Sequence, residues 1–548
     1  MSALGILNGW SGLALGYATV ETSMILGLIR GRAPAGRFAS SLLLAAPLTA
    51  ISGAALSSLD AWLSSLPAWL LGPGRVLLGF ALTTGVGYVG GRAFAKAQAH
   101  APDHRRGALI DDGASREREA RRATAHTAEV SLAGFSMAHE DEAKHFKLIG
   151  TTGTGKSTAI RELLGGALAR GDRAVVADAD GAYMHRFYDP ERGDVVLNPF
   201  DPRSVKWDLF AEIDNPYDAD QLARSLIPDR GGHDSEWRDY ARTFLGAVTR
   251  QAREGGIRDI KELYRLLVVA EAAELRVLVK GTAAQPFLDE HNSRMFDSIR
   301  SVTSSAVAAL EYIGDQKGPC LSVRRWVRER PGGVLFIPYR AGQIATLRST
   351  ISAWMRLAIF ERMDADDVRR ADRLWFVVDE LDALGPIDGL KDALVRLRKF
   401  EGRCVLGFQS IAQVSSTYGQ GDAHTIVENC GNTLILRCSA SEGGGTARFA
   451  SQLIGEREVA RTTFSKSRRP GEWAGSVTRS ESWGLEPAVL PSQVEQLPDL
   501  AGYLKFANSP EWRRVRLDAL REWTGARTEG TRGSPDATHT APETRSLG

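Results

Sequence analysis

The chain has 548 residues, enough for two or three domains with well-buried cores. Its formal net charge is +2, so bulk electrostatics neither indicate nor exclude a polyanionic partner. The four cysteines have no CxxC spacing and no clustered histidine, which argues against a zinc site and against a disulfide framework. They are expected to be reduced thiols in a cytosolic compartment.

The first hundred residues are apolar and contrast with the rest of the chain. Residues 38–59 contain no ionisable group over 22 positions, which is long enough for a helix to cross a bilayer. A second apolar run, 76–91, reaches that length if Arg75 extends to the membrane interface. Basic residues flank the two runs, so the positive-inside rule places both flanks in the cytoplasm. Residues 1–100 are therefore predicted to form a transmembrane region.

A further apolar stretch, residues 4–20, is interrupted by Glu21. It is compatible with a third span, an interfacial helix or a partner-binding segment. We favour two spans over three, because an ionised glutamate is costly within a bilayer. A cleaved signal peptide is not expected, since no basic segment precedes the stretch.

The remainder of the chain has the pattern of an α/β protein. A charged connector over 101–128 leads into short β-branched runs that alternate with helical patterns. Continuous apolar strands alternating with helices are typical of a mainly parallel sheet covered on both faces. This predicts a nucleotide-binding α/β domain over 129–210 and 320–524. Its strand-like runs begin at residues 145, 173, 194, 333, 373, 403 and 432.

The alternation stops over residues 211–319, where apolar residues recur at helical spacing with little strand signal. This segment is predicted to be an all-helical domain inserted into the α/β domain. Its acidic and basic residues nearly balance, so composition gives no support for a nucleic-acid platform there. Residues 525–548 lack apolar periodicity and are rich in Thr, Gly and Pro, which predicts a disordered tail.

A phosphate-binding loop is the strongest chemical signal in the chain. The segment GTTGTGKS at 150–157 follows an apolar strand and precedes a helical pattern, as the G-x-x-x-x-G-K-[ST] motif requires. Its glycines let backbone N–H groups turn toward phosphates, Lys156 neutralises β- and γ-oxygens, and Ser157 can ligate Mg²⁺. The predicted ATP-binding residues are Gly150, Thr151, Thr152, Gly153, Thr154, Gly155, Lys156, Ser157 and Thr158.

A second acidic element completes the predicted metal site. The run LWFVVDEL places Asp379 and Glu380 at the tip of a strand. Asp379 is predicted to share the Mg²⁺ shell with Ser157, and Glu380 to polarise the attacking water. Asp178 and Asp180 also end a strand and compete for the metal role, but a structural turn is favoured there because no glutamate adjoins them.

Two further residues suit phosphoryl transfer. Gln409 ends the strand after Asp379 and could sense the γ-phosphate from a neighbouring strand tip. Arg398 follows a helix and is expected to lie away from its own phosphate-binding loop. An arginine presented at a subunit edge suits a trans-acting arginine finger, although a solvated basic face fits it equally well.

Together these residues resemble the type IV coupling proteins of conjugation and type IV secretion, in the TraD/TrwB branch. The resemblance covers about residues 104–520, and its motifs occur in the family's order and approximate spacing. Besides the phosphate-binding loop, the matching segments are GDVVLNPFDPRSVKWDLF (193–210), WFVVDELDALGPIDGL (375–390), LRKFEG (397–402) and GFQSIAQVSSTYG (407–419).

The resemblance implies a RecA-like P-loop NTPase fold with an inserted all-helical domain, preceded by transmembrane helices. Its members are membrane-anchored ATPases that form hexameric rings and couple DNA to a secretion channel. Carried over to this sequence, Lys156, Glu380, Arg398 and Gln409 are catalytic, and Ser157 and Asp379 hold Mg²⁺. The sequence departs from the family in its longer stretch before the first predicted span and in its short tail, which leaves tail-mediated docking open.

The implied function is an ATPase of the bacterial inner membrane, with its motor domain in the cytoplasm. It would pump single-stranded DNA, carrying a covalently bound relaxase, toward the channel proteins of a type IV secretion system. Two alternatives stay open: a double-stranded DNA translocase of the FtsK/HerA type, and an ATP-switched receptor for protein substrates. The residues alone indicate a Mg²⁺-dependent nucleoside triphosphatase and do not identify DNA as its cargo.

Overall fold

The computed structural model describes residues 10–30, 37–63, 68–96, 106–111, 130–229, 235–365, 372–467 and 476–518. The chain divides into two compact units. The first comprises residues 1–106 and 458–484, and the second comprises residues 107–457 and 485–548. The disordered tail predicted over 525–548 lies outside the described residues.

Three helices make up most of the first unit, with bounds Trp10–Arg30, Arg37–Leu63 and Ala68–Lys96. The first of them continues through Glu21, whose carboxylate accepts a hydrogen bond from Ser41 Oγ at 2.6 Å. Glu21, which interrupts the apolar stretch in the sequence, therefore lies inside a continuous helix. Within the described residues, no helix combines the length and hydropathy needed to cross a membrane. The spans predicted over 38–59 and 76–91 remain predictions.

The first and third helices pack closely because glycines line their contact. A Cβ at Gly91 would lie 2.3 Å from the carbonyl oxygen of Met24, and one at Gly87 would lie 2.5 Å from that of Val20. Backbone contact of this kind requires residues without side chains at the crossing.

The second unit contains a ten-stranded sheet. All seven strand-like runs predicted from the sequence form strands of this sheet. In chain order the strands of the protein are β1 (Leu109–Asp111), β2 (Ser131–Leu132), β3 (Phe135–Ser136), β4 (Phe146–Ile149), β5 (Arg173–Ala179), β6 (Val195–Val196), β7 (Lys206–Trp207), β8 (Cys320–Leu321), β9 (Val334–Tyr339), β10 (Leu374–Val378), β11 (Gly402–Phe408), β12 (Asn432–Ile435), β13 (Glu456–Ser467), β14 (Ser476–Pro487), β15 (Ala501–Lys505) and β16 (Glu511–Arg516).

The strand order in the large sheet is β1-β16-β15-β12-β4-β11-β10-β5-β9-β6. From β12 to β6 all neighbours are parallel, and only β15 runs antiparallel to its two neighbours. The predicted parallel sheet is therefore extended by β15, β16 and β1, which the sequence pattern did not reveal. Strand β1 lies within the segment 101–128 that was expected to be only a connector.

Two apolar cores cover the two faces of this sheet, because alternate side chains of each strand point to opposite faces. On β10, for example, Phe376 and Val378 belong to one core, whereas Trp375 and Val377 belong to the other. The helix Lys156–Ala169 packs on the second face, and the long helix Ile344–Met363 packs on the first. Coverage on both faces explains why the strands read as continuous apolar runs.

Helices fill the region predicted to be an all-helical insert over 211–319. Strands β7 and β8 pair in parallel just outside its two ends. The buried Glu212 connects those ends, because its carboxylate accepts hydrogen bonds from Ser322 Oγ and from the backbone N–H of Val323. The helices between them are Pro216–Leu226, Ser235–Glu254, Ile260–Tyr264, Ala272–Leu278, Ser293–Val307 and Ala309–Asp315.

Shorter helices connect the strands of the large sheet. Two of them, Ala182–Phe187 and Ile411–Tyr418, closely follow β5 and β11 and so begin at the carboxyl edge of the sheet. The bounds of the shorter helices are His139–Glu142, Ala182–Phe187, Val323–Glu329, Leu390–Arg396, Ile411–Tyr418, Gln420–Asn429, Gly445–Ile454 and Pro491–Glu495.

Candidate nucleotide-binding site

Three central strands end beside one another at the carboxyl edge of the sheet. Strand β4 leads into the phosphate-binding loop, β10 ends before Asp379, and β11 lies between them and ends before Gln409. The carboxyl edge of a parallel sheet is where ligands of open α/β folds bind. The structure therefore brings together the predicted residues of the loop, the acidic pair and Gln409.

The loop between β4 and the helix Lys156–Ala169 has the backbone that its glycines allow. Gly153 and Gly155 adopt φ angles of 77° and 115°, in the left-handed region that disfavours other residues. The Nζ of Lys156 donates to the carbonyl oxygen of Gly150 at 2.7 Å, so its ammonium lies within the loop. The helix that begins at Lys156 directs its free N–H groups toward the loop, as anion binding requires.

Burial and the acidic pair have opposite effects on the charge of Lys156. Burial lowers the pKa of Lys156, while Asp379 and Glu380 act in the opposite direction and favour its charged form. Only 6% of Lys156 is exposed. The lysine is therefore a buried cation whose nearest charges are the two carboxylates across the site.

Residues next to two further strands support the phosphate-binding loop: β12, which the sequence predicted, and β15, which it did not. The backbone N–H of Thr151 donates to the carbonyl oxygen of Arg437 at 2.9 Å, after β12. The N–H of Leu500 donates to the carbonyl oxygen of Thr154, just before β15. A Cβ on Gly155 would lie 2.9 Å from Leu500 Cδ2, so this glycine is required by packing as well as by its φ angle.

Asp379 contacts the loop directly. The hydroxyl of Ser157 donates to Asp379 Oδ2 at 2.9 Å, and the phenol of Tyr183 donates to the same oxygen at 2.6 Å. The other oxygen, Oδ1, is buried and has no hydrogen-bond partner in the part of the chain that the structure describes. Tyr183 was not anticipated, because its segment was interpreted as a structural turn.

Gln409 joins Glu380 to the phosphate-binding loop. Its side-chain Nε2 donates to Glu380 Oε1 at 3.0 Å, and its Oε1 accepts from Thr152 Oγ1 at 3.0 Å. Burial raises the pKa of Glu380, and the neighbouring charge of Asp379 raises it further. A carboxylate with a raised pKa is a better general base near neutral pH.

Asp178 takes the structural role that the sequence favoured. Its carboxylate accepts hydrogen bonds from the backbone N–H groups of Tyr183 and Met184, at 3.1 and 2.7 Å. Burial raises the pKa of Asp178 to about 6, against the effect of these hydrogen bonds. Asp178 thus holds the first turn of the helix Ala182–Phe187, while the adjoining Asp180 adopts a positive φ of 59° in the preceding turn.

Arg398 does not join the site within one chain. It is exposed in a short helical turn, Leu397–Phe400, that directly precedes β11. It therefore lies at the amino edge of the sheet, whereas the loop and the acidic pair lie at the carboxyl edge. Its charge contributes to lowering the pKa of His145, the residue before β4, which places it near the start of that strand.

The residues at the carboxyl edge fit a Mg²⁺ ion bound together with a nucleotide. Ser157 Oγ and the carboxylate of Asp379 are oxygen ligands that this ion prefers, and the unpaired Oδ1 of Asp379 has capacity for a further partner. Among the described residues, no group of three or more His, Cys, Asp or Glu side chains could hold a metal alone. This is the donor set expected where phosphate oxygens and water complete the coordination.

Comparisons with known proteins agree with this geometry. The family model for the type IV secretion-system coupling protein DNA-binding domain matches residues 129–518. The coupling protein TraD of Escherichia coli (strain K12) is 30% identical over 382 residues, which are 69% of this chain and 53% of TraD. The chain thus spans about half the length of that relative.

Solved structures of the plasmid coupling protein TrwB share the fold. TrwB in complex with the non-hydrolysable ATP analogue ADPNP has a TM-score of 0.67 and 30% identity, covering 77% of this chain and 96% of that one. TrwB in complex with ADP and Mg²⁺ has a TM-score of 0.65 and 31% identity, covering 76% and 95%. The RecA-like NTPase fold expected from the sequence is confirmed. This chain belongs to the family of type IV secretion-system coupling proteins.

Proposed function

We propose that this protein is a Mg²⁺-dependent ATPase that couples DNA to a type IV secretion channel and moves it by ATP hydrolysis. The observation that carries the proposal is the meeting of Lys156, Ser157, Asp379, Glu380 and Gln409 at one edge of the sheet. Family membership and the nucleotide complexes of TrwB support the same conclusion.

Each residue has a distinct part in the proposed hydrolysis. Backbone N–H groups of the loop and the ammonium of Lys156 bind the phosphates, and Ser157 and Asp379 hold Mg²⁺. When bound, Mg²⁺ neutralises charge on the phosphate oxygens. Glu380 orients the attacking water and accepts its proton, as its raised pKa favours.

Gln409 couples that chemistry to the phosphate-binding loop. Because it bonds to both Glu380 and Thr152, a displacement of Thr152 by a γ-phosphate changes the position of the general base. The proposed hydrolysis also needs a cation opposite the γ-phosphate to stabilise the transferring phosphoryl group. We assign that role to Arg398 of a neighbouring copy in a homo-oligomeric ring, with a hexamer as the proposed state.

Membrane anchoring belongs to the proposal as well. On the three N-terminal helices, large apolar side chains are exposed, among them Leu43 at 80% and Leu77 at 70%. Contiguous exposed apolar surface marks a partner or a membrane. We propose that these helices anchor the protein in the bacterial inner membrane with the nucleotide-binding unit in the cytoplasm. Fractionation of the full chain, compared with a chain lacking residues 1–100, tests this placement.

The nature of the cargo is tested by ATPase rates of the full chain with added single- and double-stranded DNA. The proposal expects stimulation by single strands, and Lys156→Ala serves as the inactive control. Stronger stimulation by duplex DNA identifies a double-strand translocase instead. Tight nucleotide binding with no stimulation by either DNA contradicts the proposal and favours a receptor for protein substrates.

Relaxase-bound DNA and the channel proteins are the partners that the proposal implies. Pull-down of a purified conjugative relaxase, with and without a covalently attached DNA strand, separates recognition of protein from recognition of DNA.

A further inference from the structure

Two hydroxyl groups hold the same oxygen of Asp379. Tyr183 donates to Oδ2 at 2.6 Å and Ser157 donates to it at 2.9 Å. Oδ1 is left buried without a hydrogen-bond partner among the described residues. Both hydroxyl groups therefore hold Asp379 through Oδ2, and one of them belongs to the phosphate-binding loop motif.

Local structure fixes Tyr183 in place independently of Asp379. Strand β5 lies beside β10, with Ala177 aligned to Val378, so the turn after β5 is next to Asp379. Gly181 supplies a left-handed residue there, with φ of 71°, and starts the helix Ala182–Phe187. The carboxylate of Asp178 then holds the backbone N–H groups of Tyr183 and Met184.

The phenol is buried as well as anchored. Tyr183 is 1% exposed, so its hydroxyl has little access to water as an alternative partner. The phenol hydroxyl can therefore keep its hydrogen bond to Asp379 without competition from solvent.

We propose that Tyr183 is a positioning residue that fixes the carboxylate of Asp379 beside Ser157, in the orientation that serves the Mg²⁺ of a bound nucleotide. The inference rests on the proposed function, in which Asp379 and Ser157 hold that ion. Without the phenol, Oδ2 keeps Ser157 as its donor and the carboxylate gains freedom to rotate. Loss of a hydrogen bond that orients a metal ligand typically weakens metal affinity about 10–100-fold.

The test is a Mg²⁺ titration of the full-length protein with a fluorescent ADP analogue. For Tyr183→Phe, the free Mg²⁺ concentration at half-maximal binding is expected to rise about tenfold. The affinity for the analogue in excess EDTA is expected to stay within about twofold of wild type, because Tyr183 acts only through Asp379.

A matched control removes a phenol–carboxylate hydrogen bond elsewhere. The hydroxyl of Tyr264 donates to Glu311 Oε2 at 3.2 Å within the helical insert. Tyr264→Phe is expected to leave the Mg²⁺ midpoint unchanged. Phenylalanine fills the volume of the Tyr183 ring, and melting in EDTA checks that the variant folds. Tyr183→Met is a second variant without the hydroxyl, expected to shift the midpoint in the same direction.

The possible results separate this inference from the proposed function. An unchanged Mg²⁺ midpoint in Tyr183→Phe overturns the proposed role of Tyr183. The same conclusion follows if the variant loses affinity for the ADP analogue equally with and without Mg²⁺. Wild-type protein that fails to bind the ADP analogue, or binds it without any effect of Mg²⁺, overturns the proposed function itself.

Discussion

The two edges of the central strands are built differently. At the carboxyl edge, Ser157, Asp379, Glu380 and Gln409 form a connected set of hydrogen bonds that includes the phosphate-binding loop. At the amino edge, Arg398 is exposed in a turn before β11. The chain thus assembles the binding side of the site by itself and leaves Arg398, the proposed arginine finger, exposed at the opposite edge. Three predictions on turnover and nucleotide binding test this division, from the largest expected effect to the smallest, and a prediction on the stability of the amino edge follows them.

Removing the exposed arginine is expected to have the largest effect on turnover. Arg398→Ala should lower kcat roughly 10³-fold, the lower end of the range for arginine fingers, because the transferring phosphoryl group loses a cation. Nucleotide affinity should change little, since the binding side of the site is intact. ATPase assays and ADP binding measure the two effects separately. Lys399→Ala, in the same exposed turn, is the control, and normal turnover in Arg398→Ala contradicts the assignment.

Removing the buried lysine is expected to weaken binding itself. In Lys156→Ala the phosphates lose their cation and Asp379 and Glu380 are left without their counter-charge. Truncating one partner of a buried charge pair costs about 3–5 kcal/mol, and the lower part of that range corresponds to a loss of affinity of roughly 10²–10³-fold. Calorimetric titration with ADP and Mg²⁺ checks the prediction. Lys391→Ala, which removes an ion pair with Asp422, should bind normally.

Breaking the bridge between Glu380 and Thr152 should slow the chemistry moderately. Gln409→Ala removes both hydrogen bonds and releases the general base, so we expect roughly a tenfold fall in kcat with little change in affinity. Single-turnover kinetics with bound ATP measure this fall in the rate of hydrolysis. Gln251→Ala is the matched control, because Gln251 makes a similar bond to Glu254 in the insert. Equal rates in Gln409→Ala and wild type refute a coupling role for Gln409.

The amino edge contributes a pH-dependent term to stability. His145 is buried between the carbonyl oxygen of Leu394 and the N–H of Cys404, which suits a neutral ring. Burial, followed by the charges of Arg403 and Arg398, lowers the pKa of His145 to about 4. As the pH falls, His145 therefore takes up a proton in the unfolded chain before it does so in the folded protein. The free energy of unfolding that the neutral ring contributes is present above pH about 6.5 and is lost as the pH approaches 4.

The variant His145→Gln isolates that term. Between pH 7 and 4.5, wild type is expected to lose roughly 2–3 kcal/mol more than the variant in free energy of unfolding. Urea unfolding at both pH values measures the difference. Equal losses in the two proteins contradict the neutral, buried histidine.

How far the sequence predicts the structure also differs between regions. The seven central strands are continuous apolar runs, because both of their faces are buried, and all seven were predicted. Strand β16 reads EWRRVR, with Arg514 and Arg516 exposed and Arg513 partly exposed, and β1 has only three residues. Such short or polar strands at one side of a sheet leave little periodic signal.

The site shows the same contrast. The loop and the acidic pair carry motifs whose spacing is set by phosphate geometry, so their residues could be identified directly. Tyr183 lies in an unremarkable helix start, and its contact with Asp379 depends on β5 lying beside β10. Strand neighbours are a property of topology, which a single sequence does not display. The support of the loop by Leu500 was missed for the same reason.

The division between a self-contained binding edge and a donated arginine is tested most directly by mixing two inactive variants. Arg398→Ala keeps its general base but has no arginine to donate, and Glu380→Gln keeps the arginine but has no base. When the two are co-assembled in equal amounts, roughly a quarter of the interfaces in a head-to-tail ring unite an intact base with an intact arginine. The account predicts that the mixture regains about that share of the wild-type ATPase rate. A mixture as inactive as either variant alone would contradict it.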